Sequence, residues 1–324
     1  MSNNFSKIAL NEGGTIIPLL IDSLNTNGTG LTNPSILIDG DRIIINLRHV
    51  EYTLYHSEKK ELCHPWGPLQ YLHSEKDMRL KTNNYLCIFN HDLQMQYYSK
   101  VDTSYCDTEP LWEFVGLEDC RIVKWFGKLY LSGVRRDTTP NGQGRMELSE
   151  IIEENRVFKE ISRVRLPSTG GDASYCEKNW MPMINIPYHY IKWSNPTEIV
   201  KVSLNPAACE TVHMGHYQYY NYDFRGGSQV IPYKNGYIAL VHRVNLYNSP
   251  VGRKDGKYDH VFLYWDQNWN LTWSEPFTFL NAEIEFCCGM NFYNNDFYIT
   301  FGFQDNSSFL IKCPSTLIDK ILNI

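Results

Sequence analysis

At 324 residues, with 43% hydrophobic and 20% charged side chains, the chain has the make-up of an ordinary soluble globular protein. It is long enough for one large all-β domain or two smaller ones. A formal net charge of −6 argues against general nucleic-acid binding and against a basic membrane-surface face. Nine cysteines stand in irregular positions, with no C-x-x-C pair and Cys287 next to Cys288, so neither a zinc site nor a disulfide framework is indicated.

The N-terminus lacks a basic region, and Ile16-Ile17-Pro18-Leu19-Leu20-Ile21 is too short for a signal core or a membrane span. The expectation is a cytoplasmic protein with reduced thiols. Next come short apolar runs in pairs around turn signals. Asn33–Ile38 turns at Asp39-Gly40 and returns as Arg42–Arg48. Glu118–Ile122 leads to the turn Phe126-Gly127 and returns as Lys128–Arg135. Lys178-Asn179-Trp180-Met181-Pro182 returns through Tyr188–Trp193. Gly226–Tyr233 turns at Asn235-Gly236 and returns as Tyr237–Arg243. Glu285–Phe292 turns at Asn294-Asn295 and returns as Phe297–Gly302.

Third strands follow in places, as at Glu198–Val202, His260–Trp265 and Phe309–Lys312. Units beginning at 33, 118, 178, 226 and 285 predict a single all-β domain over 1–324, a five-bladed β-propeller. Residues 1–32 are expected to supply a strand or cover that closes the ring, and 314–324 a short helix with Leu317, Ile318 and Ile321 on one face. Met146–Arg156 has charges at helical spacing and reads equally as a strand pair or loop.

In such a ring the first strand of each blade lines the central channel, and polar residues at the strand ends converge on one face. Asn33, Glu118, Asp119, Arg121, Lys178, Asn179, Arg225 and Glu285 occupy those ends. Arg48, Arg135, Arg136, His242, Arg243 and Asp305 end the returning strands. Strand alternation puts Asp119 and Arg121 on one face and Glu118 on the other. Cations around a narrow mouth would bind phosphate oxygens through charge-assisted hydrogen bonds. Trp66, Tyr71, Trp112, Trp180 and the Tyr-rich loop His213–Phe224 could stack on sugar rings, although core packing is the default. Asp39-Gly40-Asp41 matches a D-x-D pattern but lies in a hairpin turn. His213 and His216 lack an evident third metal ligand. Gly142-Gln143-Gly144 and Gly252–Gly256 read as flexible loops. No metal or cofactor is expected.

Gly116-Leu117-Glu118-Asp119-Cys120-Arg121 resembles the Gly-x-Glu-Asp-Pro-Arg motif of the glycoside hydrolase family 130 mannoside phosphorylases and their relatives, with Cys120 in place of proline. Lys178–Pro182, Gly226-Gly227 with His242, Phe286–Gly289 and Phe301–Asp305 resemble that family's third-, fourth- and fifth-blade motifs. The resemblance is distant and runs over most of residues 33–312. It implies a five-bladed, inverting enzyme with Asp119 as the catalytic acid. It also implies Arg121, Arg136, Lys178 and His242 as sugar- and phosphate-binding residues, with Asp305 gripping the donor sugar. A second phosphate-binding arginine remains open among Arg135, Arg136 and Arg156.

The expected activity is glycosyl transfer to or from a phosphate-bearing partner: inorganic phosphate, a sugar phosphate or a nucleotide sugar, with a mannose-like sugar or oligosaccharide. A propeller lectin, a protein scaffold and a hydrolase on the same fold are the alternatives. The hydrolase needs a carboxylate base such as Glu285 opposite Asp119, roughly 6.5–9.5 Å away. No nucleic-acid or membrane partner is expected.

Overall fold

A computed structural model describes residues 4–26, 29–55, 70–72, 79–170, 174–217, 223–248 and 254–324. Trp66, Gly252, residues 218–222 of the Tyr-rich loop and the side chain of Tyr71 lie outside what it describes.

The chain forms a five-bladed β-propeller. The first blade is Leu31–Asp39, Arg42–Val50, Leu80–Phe89 and Met95–Lys100. The second is Glu118–Trp125, Lys128–Arg135, Arg145–Glu154 and Val157–Arg165. The third is Met181–Pro182, His189–Ser194, Thr197–Leu204 and Ala207–Met214. The fourth is Ile231–Tyr233, Gly236–Asn248, Lys254–Trp265 and Leu271–Trp273. The fifth takes Glu285–Tyr293, Asp296–Phe303 and Ser307–Pro314, and its outermost strand is Thr15–Pro18 from the other end of the chain. Thr15 stands opposite Lys312 and Pro18 opposite Phe309, so the two ends of the chain share one sheet and cover its outer edge.

Burial falls outward along each blade. Leu31–Asp39 is buried over its first seven residues, whereas Ala207–Met214 is mostly exposed. Inner strands touch neighbours on both faces, so Leu31–Asp39 is buried residue after residue rather than on alternate positions. The core is correspondingly divided into wedges between blades. Leu37 and Ile44 of the first blade meet Ile122 and Leu131 of the second. Trp125 and Tyr130 of the second meet Trp180 and Tyr190 of the third. Each such fully buried side chain stabilises the ring by about 1.5–3 kcal/mol.

Three tight turns have left-handed residues at both central positions: Phe126-Gly127 (φ 50° and 78°), Asn155-Arg156 (φ 53° and 66°) and Asn294-Asn295 (φ 50° and 64°). That geometry matches the twist of the strands they join. Met146–Arg156 resolves as strand: Arg145–Glu154 turns at Asn155-Arg156 into Val157–Arg165. Its charges follow tertiary pairing, since Glu147 meets Arg135 and Glu153 meets Arg42.

The terminal helix Ser315–Leu322 buries Leu317, Ile318 and Leu322. A further short helix, Phe5–Asn11, has no counterpart in the sequence reading. Asn4 caps it by accepting from the Lys7 amide at 2.9 Å, and Phe5 packs on Phe262 and Phe277. Seven residues carry too little periodicity to announce a helix. Among the described residues no helix is long and apolar enough to cross a membrane.

Candidate active site

The inner ends of the first three blades share one backbone device. Asn33 (φ 46°), Asp119 (φ 51°) and Asn179 (φ 63°) are all left-handed. Asn and Asp tolerate that conformation better than other side chains with a Cβ. The strand register slips beside two of them, between Thr32 and Ser35 and between Ser132 and Val134. The fourth blade has Gly226-Gly227 here, where a Cβ on Gly226 would lie 1.9 Å from the Asn179 carbonyl oxygen.

These irregularities break the alternation of side chains. Glu118 and Asp119, expected on opposite faces, therefore both line one cavity. Arg121, expected beside Asp119, is instead buried beneath it, 1% exposed. Its Nε donates to Gly227 O at 2.7 Å and its Nη1 to Asp119 O at 2.6 Å, with Asn179 and Gly226 at 3.4 Å. Arg121 ties the second blade to the third and fourth and does not line the cavity. Below it Gln229 plugs the axis, donating to the Ile36 and Ile122 carbonyls and accepting from the Met290 amide.

The cavity measures about 900 Å³. Of the residues singled out in the sequence, Asn33, Arg48, Trp112, Glu118, Asp119, Arg136, Lys178, Asn179, His242 and Asp305 line it. Phe286, from the fifth-blade motif, lines it as well, and Thr32, Tyr52, Phe114, Tyr175 and Tyr258 join them without a local pattern that marks them. Tyr175 and Phe114 carry Arg136: its guanidinium lies 5.1 Å from the Phe114 ring centroid, and Nη2 donates to the Tyr175 hydroxyl at 3.0 Å.

Arg48 organises the carboxylates. Nη1 donates to Asp119 Oδ1 at 2.7 Å and Nη2 to Glu118 Oε2 at 3.1 Å. Thr82 and Tyr52 accept from the same guanidinium. Asn33 Nδ2 also donates to Asp119 Oδ1, at 2.8 Å. The two carboxyls respond differently. Burial pushes Asp119 up, but Arg48, Arg121, Asn33 and Lys178 together hold it below the usual carboxylate range. Burial pushes Glu118 above its ordinary value despite Arg48, and the Asp119 charge adds to the rise.

His242 is 3% exposed, and its Nδ1 has no hydrogen-bond partner among the described residues. Burial, with His260 and the cations Arg121, Lys178 and Arg225 adding to it, drives its pKa well below the ordinary histidine value. It is a neutral imidazole, stacked on Tyr258 with centroids 5.6 Å apart. Lys178 is exposed and has no hydrogen-bond or ion-pair partner among the described residues.

Other sequence candidates fall elsewhere. Arg225 pairs with exposed Asp223 at 3.0 Å and does not line the cavity, although its backbone bridges to that of His242. Glu285 is fully buried and accepts from the amides of Phe279, Leu280 and Ala282, so it anchors a loop and does not face Asp119 across open space. Arg135 is locked between Asp137 and Glu147, and Arg156 lies over Tyr97. Of the three open arginines, Arg136 is the one at the cavity.

Trp180 is core, 1% exposed. Asp39 pairs with Lys124 at 2.8 Å, at the far end of its strand from Asn33. His213 and His216 flank a separate recess near Trp269, and no group of three or more His, Cys, Asp or Glu among the described residues is placed to hold a metal.

The fold and the cavity define a five-bladed propeller with a polar, aromatic-walled axial site. Solved structures of the same fold include β-1,2-mannobiose phosphorylase from Listeria innocua, at 13% identity and TM-score 0.55, covering 96% of this chain and 94% of that one. A glycosyl hydrolase from Bacteroides ovatus matches at 11% identity and TM-score 0.57, over 88% of this chain and 84% of that one. A mannose phosphorylase from Leishmania mexicana, solved with phosphate ion, matches at 10% identity and TM-score 0.51, over 96% and 92%. No family model matches the sequence, and no curated protein matches it.

Proposed function

We propose that the protein is a carbohydrate-active enzyme transferring a mannose-like glycosyl group to or from a phosphate-bearing partner, with Asp119 as the acid at the glycosidic oxygen. The observation that carries this reading is the division of one cavity into two chemistries. Glu118 and Asp119 sit on the Arg48 guanidinium, while Lys178 and Arg136 present cationic donors in the same cavity. A glycosidic bond needs the first set and a phosphate the second. Trp112, Tyr175 and Tyr258 supply ring faces of the kind that cover sugars. A lectin has use for the aromatics but none for a buried pair of carboxyls on one arginine.

The phosphorylases among the proteins of similar fold support the phosphate partner. A hydrolase reading keeps one support, since Asp305 is a further carboxylate at the cavity, whereas Glu285 is committed to three amides. The deciding experiment incubates the protein with sugar 1-phosphates and nucleotide sugars against mannosyl and glucosyl acceptors. Released phosphate identifies a phosphorylase and released nucleotide a transferase. Hydrolysis of mannosides without phosphate, together with no transfer to any acceptor, overturns the proposal in favour of a hydrolase.

A further inference from the structure

We propose that Glu118 is a second catalytic carboxyl: with Asp119 it forms a dyad on the Arg48 guanidinium that holds one proton, carried by Glu118 while the cavity is empty. The inference rests on the glycosyl-transfer reading and resolves a conflict within it. An acid must arrive protonated, yet Asp119 is surrounded by donors. Its Oδ1 accepts from Arg48 and from Asn33, and Arg121 lies directly beneath, bonded to the Asp119 carbonyl. Each of those contacts favours the carboxylate.

Among the described residues Glu118 takes a single bond, 3.1 Å long, from the other arm of the same guanidinium. Both side chains are largely shielded, 17% exposed for Glu118 and 14% for Asp119. Two carboxylates on one guanidinium leave a surplus negative charge, and a proton removes it. The donors already on Asp119 direct that proton to Glu118. The other charged groups acting on Glu118 are Arg136 and Lys178, from the second and third blades. Its pKa shift is upward even with these cations present. The left-handed Asp119 makes the dyad possible, because a regular strand would separate the two carboxyls.

The step balances. As the glycosidic C–O bond breaks, the leaving oxygen takes the dyad's proton. The dyad is then doubly anionic beside Arg48 and the electron-poor anomeric carbon. With hydrogen phosphate as nucleophile the new C–O bond forms on the opposite face of the ring, the phosphate's proton leaves with the sugar phosphate, and solvent reprotonates the dyad. In the reverse direction the deprotonated dyad accepts the proton of the attacking sugar hydroxyl as phosphate departs.

The test has two arms. Infrared titration of the ligand-free protein follows the carbonyl band of protonated carboxyls. Burial also pushes Glu147 and Glu285 up, so the quantity read is the difference between wild type and Glu118→Gln. It should contain a band that persists above the ordinary glutamate range, and in Asp119→Asn that band should be lost at lower pH, because the repelling charge is gone. Glu118→Asp, which keeps a carboxyl, should restore a band. The second arm measures kcat against pH on the best donor. Glu118→Gln should lower kcat on the order of 10²-fold and abolish the alkaline limb of the profile. A wild-type minus Glu118→Gln difference with no such band, or a pH profile unchanged by Glu118→Gln, overturns the dyad. The band reports the proton whether or not a donor is found, so failure of the dyad and failure of the glycosyl-transfer reading are told apart.

Discussion

Arg48 Nη1 lies 2.7 Å from Asp119 Oδ1, joining the second strand of the first blade to the inner strand of the second. The pair is largely shielded from solvent, and the same guanidinium reaches Glu118. One residue therefore sets the charge of the site and bonds two blades at their seam.

Arg48→Met should consequently destabilise the fold by about 3–5 kcal/mol, because it strands two buried carboxyls. It should also change the pH dependence. The folded Asp119 titrates below its unfolded value, so its contribution is present above the unfolded pKa and is lost as pH falls through the folded one. Urea unfolding of the wild type should show that loss on acidification, and Arg48→Met should show less of it. An equal slope in both proteins would refute the assignment.

Asp119→Asn keeps the shape of the side chain and removes the carboxyl. Turnover on the best donor should fall on the order of 10²–10⁴-fold. Far-ultraviolet circular dichroism should remain that of the wild type. Full activity in this variant would mean that the reacting centre lies elsewhere.

Lys178 makes no hydrogen bond or ion pair among the described residues, so Lys178→Ala should leave the melting temperature close to that of the wild type. The KM for the phosphate-bearing partner should rise roughly 10- to 100-fold, the worth of about 1.5–3 kcal/mol for a hydrogen bond to a charged group. His242 is neutral because its pKa lies well below the ordinary value. The affinity for that partner should therefore show no histidine titration between about pH 6 and 7. Isothermal titration across that range checks it.

Glu285→Gln separates anchoring from catalysis. Its Oε1 position can still serve Leu280 and Ala282, but the amide nitrogen then faces the Phe279 N–H. The variant should lose about 1–3 kcal/mol of stability. Measured below its melting temperature, kcat should be unchanged, whereas a catalytic base would lose rate.

Gly142 has φ 65°, and a Cβ there would sit 2.4 Å from the Trp112 ring. Gly142→Ala should displace that ring from the cavity wall. The expected signs are a shifted tryptophan emission and a raised KM for the sugar, with little change in kcat. Unaltered emission and KM would mean that the loop absorbs the methyl group.

The chain by itself determined the units and their turns. An apolar run, a Gly or Asn turn and a returning run are local, and local physics suffices to write them. It also placed polar residues at the inner strand ends, as at Asn33, Asp119 and Lys178. Only the tertiary structure decided which way those residues face. One left-handed residue at 119 cancels the alternation that sequence spacing assumes. Arg121 is a floor residue because the Gly227 carbonyl, over a hundred positions away, comes to its Nε. Glu285 is an anchor because three amides converge on it, and Arg136 rather than Arg135 reaches the cavity because Asp137 and Glu147 hold the latter. A charged side chain goes where its long-range partners can compensate its burial, and no run of neighbouring residues records where those partners are.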